Sequence, residues 1–283
     1  MAFADDFKLC SFQVIRDSSG TIDGPVDLQH DLNSILERSS SWNMKPNPKK
    51  CVSMRFGKTS DAVILDRKYF ISGEEVKFVS SCKDLGITVD KSLKFHVHVG
   101  VVVGRAGAMM GELLRSTVCR SKEFMIVLYV SHIRPILDYC SSVWNVGYLG
   151  DLRRLEAVQR RWTREVSGFS TLDYGSRLRE LNLHSIYGRL LRGDLIKMWK
   201  VFHSHMSADL SGLFHLVSDS RTRGHAYKLA IPVCRTELLR RSFGVRHVML
   251  WNSLPAEVVE TESLTVFKSG LARVLSEKLF EFL

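Results

Sequence analysis

The spacing of apolar residues changes near residue 95 of this 283-residue chain, and the change divides the sequence into two kinds of structure. Ala2-Phe3-Ala4 and Phe7-Lys8-Leu9-Cys10-Ser11-Phe12 flank Asp5-Asp6 and read as two short strands of a hairpin with a carboxylate pair at the turn. Asp17-Ser18-Ser19-Gly20 marks a loop. Pro25 suits a first helical position, and Leu28, Leu32, Ile35, Leu36 and Trp42 follow along one helix face until Pro46 and Pro48 end it. From Cys51 to Val89 the pattern is that of strands: Val52–Phe56, Val63–Ile71, Val76–Val79 and Leu85–Val89, with a turn at Ser72-Gly73-Glu74-Glu75.

Beyond Phe95 the helical spacing takes over. It predicts helices over His96–Arg115, Lys122–Ile133, Leu152–Val166, Tyr187–His203 and Ser263–Glu281, with Arg134-Pro135 kinking or ending the second. Residues 207–232 read as irregular apart from a short strand at Tyr227–Ile231, and no internal repeat is visible. Strands followed by helices give an α+β fold class, with the best domain boundary near Phe95. A chain of this length buries one large core or two ordinary ones.

Composition sharpens this in one respect. With 45% apolar and 25% charged residues and only 6 Pro, the chain is globular rather than disordered. A net charge of +10 draws it toward polyanions, nucleic acid or an anionic membrane, without choosing between them. No apolar run reaches the ~20 residues of a membrane helix, so no membrane partner is expected. The six cysteines have no Cys-x-x-Cys spacing, and Asp5 and Asp6 fall where the apolar part of a signal peptide would lie. Reduced thiols in an intracellular protein are the expectation, with nuclear and cytoplasmic location both open.

Adjacent aspartates at a tight turn suit two-metal chemistry. Carboxylates can hold two cations ~4 Å apart, where one activates a 3′-hydroxyl and the other steadies departing pyrophosphate. Taken alone, an Asp-Asp pair more often marks a helix cap or a solvated turn. Its surroundings supply the rest. Phe3-Ala4-Asp5-Asp6-Phe7-Lys8-Leu9 resembles the Phe-Ala-Asp-Asp-Thr-Lys-Leu box of reverse transcriptases from LINE-type (non-LTR, jockey-like) retrotransposons. Further similarities come in the order of that family. Leu28-Gln29-His30-Asp31-Leu32 with Trp42-Asn43-Met44 resembles the palm helix after the box, and Asn47-Pro48-Lys49-Lys50-Cys51 the next motif. Lys83-Asp84-Leu85-Gly86-Ile87 resembles the hairpin that grips the primer end. Later, Tyr129, Arg134-Pro135-Ile136-Leu137-Asp138-Tyr139 and Val143-Trp144 look like thumb helices, and Leu155-Glu156-Ala157-Val158-Gln159-Arg160-Arg161 like a helix that recurs in the group. Thr222-Arg223-Gly224-His225, Trp251-Asn252-Ser253-Leu254-Pro255 and Phe267-Lys268 match its C-terminal region.

The resemblance implies a partial palm over residues 1–95, a thumb-like helical region over 96–170 and an α-rich C-terminal region over 171–283. It implies RNA-directed DNA synthesis by the intact parent, on an RNA template with a DNA primer, using Mg2+ or Mn2+; protein partners are not implied. Asp5 would be a metal ligand and Asp6 its supporting carboxylate. Lys50 would act near the pyrophosphate, and Lys83, Asp84, Leu85 and Gly86 would steady the primer. The family takes a further metal-binding Asp, its fingers and the rest of its palm from motifs upstream of the box, whereas Met1 lies two residues before Phe3. The expectation is therefore that these residues alone hold no stable metal pair and do not polymerise. The rival reading is a non-catalytic nucleic-acid-binding remnant, or an inert relic of a decayed element.

Basic and aromatic residues add candidates. Arg153, Arg154, Arg160, Arg161 and Arg164 line one predicted helix, with Leu152, Leu155, Val158 and Trp162 available to face a core. Such a helix can lie along a phosphate backbone, or simply present a solvated face. Arg221-Thr222-Arg223-Gly224-His225 reads as a phosphate-binding turn or, more readily, a surface loop. Lys197, Lys200, Arg240, Arg241 and Arg246 add positive field without specifying a site. His96-x-His98 and His203-x-His205 have the look of paired ligands but lack Cys or acidic partners in register. Trp144, Trp199 and Trp251 can stack on bases, though their apolar contexts fit core packing better. Met109, Met110, Leu113 and Leu114 read as helix core.

Overall fold

A computed structural model describes residues 2–3, 6–10, 28–44, 46–56, 68–203, 211–217 and 224–280. The fold is α+β, and the chain divides into two compact units: Met1–Lys83 with Asp90–Ser92, and Asp84–Val89 with Leu93–Leu283.

In the first unit, strands β1 (Ala2–Phe3) and β2 (Asp6–Phe7) pair antiparallel, Phe3 opposite Asp6. Helix α1 (Leu28–Ser41) buries Leu32 against Ile71 and Val76, with Phe7, Leu9, Leu36, Cys51 and Tyr69 around them. The helix also closes a strand edge, because the Gln29 side chain donates to the Phe70 carbonyl at 2.9 Å and accepts from the Phe70 amide at 2.8 Å. Strands β3 (Val52–Ser53) and β6 (Lys77–Phe78) run parallel, and β4 (Phe70–Ile71) pairs antiparallel with β5 (Glu74–Glu75). The turn between β4 and β5 is Ser72-Gly73, both at positive φ (+52° and +83°), the backbone twist that a two-residue hairpin demands. The described strands form pairs rather than one continuous sheet.

Several expectations are corrected here. Trp42 is 69% exposed, because it follows the last helical turn instead of sitting on the buried face. Of the strand predicted at Val52–Phe56 only two residues pair, and Val52 and Phe56 are exposed. Strand β7 (Ser81–Asp84) pairs with β8 (Ile87–Asp90), so Leu85-Gly86 is the connecting turn, not the start of a strand. Both turn residues have positive φ, +44° and +86°. Phe12, the loop at 17–20, Pro25 and residues 63–67 lie outside the described residues.

The second unit is helical. Helix α2 (His96–Ser116) buries Val99, Val102, Ala106 and Met110 and packs on α6 (Leu149–Arg164). Met109, Leu113 and Leu114 pack against the same core, as their spacing predicts. By length and composition alone α2 is apolar enough to cross a bilayer, contrary to the sequence expectation. Val99, Val102, Ala106 and Met110 form its buried face, while Val97, Val101, Arg105 and Glu112 are exposed.

Helix α3 (Lys122–Leu128) does not stop at Pro135. It continues through a π turn (Tyr129–Ile133) into α4 (Arg134–Asp138), the Arg134 amide reaching back to the Tyr129 carbonyl. Proline supplies no amide and its ring crowds the carbonyl four residues back; one wider turn just before Pro135 takes up the misfit. Short helices α5 (Ser141–Trp144) and α7 (Tyr174–Glu180) and the long α8 (Ile186–Phe202) complete a core running from Ile87 to Leu190. This cluster passes residue 170 without a break. A second cluster joins the rest of α8 to the C-terminal region, where α9 (Glu237–Arg240), α10 (Phe243–Arg246), α11 (Val248–Asn252), α12 (Ala256–Val259) and α13 (Leu264–Val274) follow in order. The last predicted helix thus ends at Val274. The strand predicted at Tyr227–Ile231 reduces to a bridge between Leu216 and Leu229.

Candidate nucleic-acid interface

Helix α6 carries the most organised basic surface among the predicted site residues. Leu152, Leu155, Val158, Gln159 and Trp162 recur at helical spacing and are buried. That registration leaves Arg153, Arg154, Arg160, Arg161 and Arg164 on exposed positions of the same helix. Arg161 and Arg164 stand in its last turn and Asp151 in its first, an order that complements the helix dipole.

Specific contacts hold this helix against its neighbours. Asp151 is buried and lies 2.5 Å from His96 Nδ1 and 3.4 Å from Arg154 Nη1. Arg154 lies over α2 at Gly100, where an added Cβ would come within 3.0 Å of Nη2. Beneath the basic face, the Gln159 amide nitrogen donates to the Tyr174 hydroxyl at 3.0 Å and to the His184 carbonyl at 2.9 Å. Its amide oxygen accepts from the Tyr129 hydroxyl and from Arg189 Nη1 (2.9 Å). Arg189 also donates to Asp138 at 2.9 Å. Burial works against its charge, but Tyr129 and Asp138 hold the proton on and raise its pKa. Glu156 accepts from the Tyr174 hydroxyl and from the Ile186 amide at 2.8 Å; burial outweighs these bonds and pushes its carboxyl up. Burial likewise pushes up the Tyr129 and Tyr174 hydroxyls.

The primer-grip candidates fall at the β7–β8 turn. Lys83 is exposed, Asp84 half-buried, and Leu85 and Gly86 form the exposed tip. Tyr139, just after α4, donates its hydroxyl to the Leu85 carbonyl at 3.0 Å. Its ring edge would stand 3.4 Å from a Cβ on residue 86, so glycine there meets both a positive φ and a close neighbour. Lys50 is exposed at the end of a 3₁₀ turn (Pro48–Lys50) that Asn47 caps through its side chain. Asp5 lies outside the described residues; the Asp6 backbone pairs with Phe3, and its side chain is likewise outside them.

The other candidates are absorbed by packing. Trp144, Trp199 and Trp251 are each at most 1% exposed, which removes them as base-stacking platforms. His225 is buried with Nε2 3.0 Å from the Trp251 carbonyl, so it belongs to the core and not to a phosphate-binding turn; Arg221, Thr222 and Arg223 lie outside the described residues. His96 contacts Asp151, while His98 is buried and accepts from the Thr88 amide at 3.2 Å. His203 stacks on Trp199 with ring centroids 4.1 Å apart, and His205 is outside the described residues. Among the described residues no cluster of three His, Cys, Asp or Glu side chains could hold a metal ion. Lys197 donates to Ser142 at 2.5 Å, Arg246 pairs with Asp194 at 2.7 Å, and Arg241 donates to the Gly147 carbonyl at 2.9 Å, so these cations serve the fold.

Two participants escape the sequence reading. Tyr139 is recognisable only once the hairpin tip is placed beside it. Arg177 belongs to α7, a seven-residue helix too short for periodicity to reveal. The one local signal is Asp173, whose side chain caps the Ser176 amide at 3.1 Å.

No known family profile matches the chain, and no solved structure resembles it significantly. Among curated proteins, a probable RNA-directed DNA polymerase from transposon BS of Drosophila melanogaster is 27% identical over 198 residues, covering 67% of this chain and 21% of its own. RNA-directed DNA polymerases from the mobile element jockey of Drosophila melanogaster and Drosophila funebris are each 22% identical over 169 residues, 59% of this chain and 18% of theirs. The chain therefore spans about a fifth of the length of the curated relatives it matches, and those relatives are RNA-directed DNA polymerases of Drosophila mobile elements.

Proposed function

We propose that these residues form part of a reverse transcriptase of a non-LTR retroelement, comprising a partial palm, a thumb-like helical region and an α-rich C-terminal region. The observation that carries this reading is the similarity to RNA-directed DNA polymerases over 59–67% of the chain. The exposed arginines of α6 support it, since they offer guanidinium forks to a phosphate backbone.

In the intact enzyme the reaction is attack of a DNA primer 3′-hydroxyl on a deoxynucleotide, directed by an RNA template. Asp5 and Asp6 would supply carboxylate oxygens, the donors that Mg2+ or Mn2+ prefers, and the backbone pairing of Phe3 with Asp6 is consistent with that reading. When bound, a metal pair would activate the hydroxyl and steady departing pyrophosphate. Lys50, exposed, is available to neutralise charge on that leaving group. The β7–β8 tip, braced by Tyr139, would hold the primer end. Two carboxylates make an incomplete cage, so the 283 residues assayed alone are expected not to extend a primer.

Primer extension on a homopolymer RNA template with Mg2+ or Mn2+, together with a salt titration of binding, tests this. The expected result is no incorporation by these residues alone, with binding whose log K falls against log salt at a slope of about −4 for about five phosphate contacts. Incorporation abolished by Asp5→Asn would overturn the expected inactivity while retaining the polymerase. No binding even at low salt would overturn the nucleic-acid reading and leave an inert relic.

A further inference from the structure

Among the described arginines, Arg177 leaves two buried donors unsatisfied, where Arg189 and Arg192 each leave one. Arg177 is 3% exposed, and its Nε and Nη1 are buried without a hydrogen-bond partner. A buried charged donor with no acceptor has lost its hydration with nothing in return, so such groups are ordinarily paired. Its neighbours compound the problem. Its guanidinium lies 5.5 Å from the centroid of the Tyr174 ring, and that of Arg160 lies 4.9 Å from the same centroid. Burial, with repulsion from Arg164 and Arg160, lowers the Arg177 pKa against the partial support of Tyr174 and Asp173. Asp173 is already engaged by the Ser176 amide at 3.1 Å and hydroxyl at 2.5 Å, and Glu156 by Tyr174 and the Ile186 amide. Arg160 and Arg164 thus lie near enough to repel the Arg177 charge, while Asp173 and Glu156 each bind other groups as well.

We infer that Arg177, together with Arg160 and Arg164, forms a receptor for one backbone phosphate of a bound nucleic acid. The chemistry selects the ligand. A phosphodiester brings the negative charge and the several acceptor oxygens that an unpaired planar fork lacks. The setting selects its source: Arg160 and Arg164 are exposed members of the α6 stripe, whose arginines from Arg153 to Arg164 run about 16 Å along the helix axis, room for several consecutive phosphates. The exposed heads of Arg160 and Arg164 can change rotamer to admit the ligand, while Arg177 is held by α7. The inference rests on the nucleic-acid reading above and deepens it by naming an anchor point.

The test uses the full chain, a labelled single-stranded RNA and the variant Arg177→Met, compared by fluorescence anisotropy over a salt series and by thermal melting. Removing an unpaired buried charge should leave the melting temperature unchanged or raised. It should also weaken RNA binding about tenfold and make the log–log salt slope shallower by about 0.7. A purely structural arginine would do the opposite: a lower melting temperature with an unchanged slope. Should Arg177→Met not fold, exposed Arg164→Gln serves instead, with weaker binding and a shallower slope expected. If the wild type binds and the folded variant matches it in affinity and slope, the anchor is overturned while the basic stripe stands. If the wild type does not bind RNA at all, both fall. If inorganic phosphate raises the melting temperature of the wild type alone and RNA affinity is unaffected, the site takes free anions and the backbone assignment is overturned.

Discussion

Asp194 offers the most direct check on the second unit, because one carboxylate ties together groups from three parts of the chain. It is 1% exposed, in the middle of α8. Arg246 reaches it with two nitrogens, Nη2 at 2.7 Å and Nε at 3.0 Å, and Ser142 donates to its other oxygen at 2.6 Å. His247 Nε2 lies 3.2 Å away. Burial alone would push the Asp194 carboxyl up, but His247, Arg246 and Ser142 outweigh it and hold it below the usual carboxylate range. Asp194→Asn keeps the shape but removes the charge, turning an amide group toward a guanidinium that stays largely buried. Breaking a buried pair in this way costs about 3–5 kcal/mol, since the surviving ion keeps its desolvation penalty without its partner. For roughly 200 residues that is a fall of roughly 10 °C in melting temperature, measurable by far-UV circular dichroism. The pH dependence has a definite sign. A depressed carboxyl pKa contributes stability above its unfolded value of about 3.9 and loses it as pH falls through the folded value, so the difference between wild type and variant should be widest near neutrality and shrink in acid. Adding Arg246→Met to Asp194→Asn should recover part of the loss, because no unpaired charge then remains. A loss below about 1 kcal/mol for Asp194→Asn at neutral pH would refute the buried pair, that being the range of an exposed one.

Two backbone sites give further checks. Gly86→Ala must place a side chain at φ +86° and 3.4 Å from the Tyr139 ring edge, so a loss of about 1 kcal/mol is expected in denaturant unfolding, with a similar loss at another, φ-negative glycine arguing against it. Gly188→Ala in α8 would set a Cβ 2.6 Å from the Leu279 backbone, whose carbonyl accepts from the Ser185 amide at 2.9 Å. Overpacking against main chain should cost about 1–3 kcal/mol, read as a lowered denaturation midpoint; an unchanged midpoint would show that residues 275–280 do not pack there.

Much of this was written in the spacing of residues. Helices α2, α6 and α8 are visible in the sequence to within a few residues, because each is long enough for a buried stripe to repeat several times. The same repetition put Leu152, Leu155, Val158 and Trp162 on one side of α6 and its five arginines on exposed positions. The ordered motifs, from Phe3-Ala4-Asp5-Asp6 to Trp251-Asn252-Ser253, pointed to polymerases of mobile elements, and the relatives are of that kind. The short helices α5, α7 and α11 left no comparable trace, since four to seven residues complete too few turns to show a period. The apolar context of Trp251 pointed to the core that seals it, but spacing put Trp42 on a buried face although it stands in water.

What the sequence determined by itself is local: which segments are helical, which faces are apolar, where the net charge of +10 resides along the chain. Partners distant in sequence were decided only by the tertiary structure. Asp194 meets Arg246 across 52 residues and Ser142 across another 52, and Gln159 meets Arg189 across 30. The physical reason is that a charge's fate depends on what else is buried beside it. Arg177 and Arg160 look alike in the sequence, yet packing exposes one and buries the other with donors unmet.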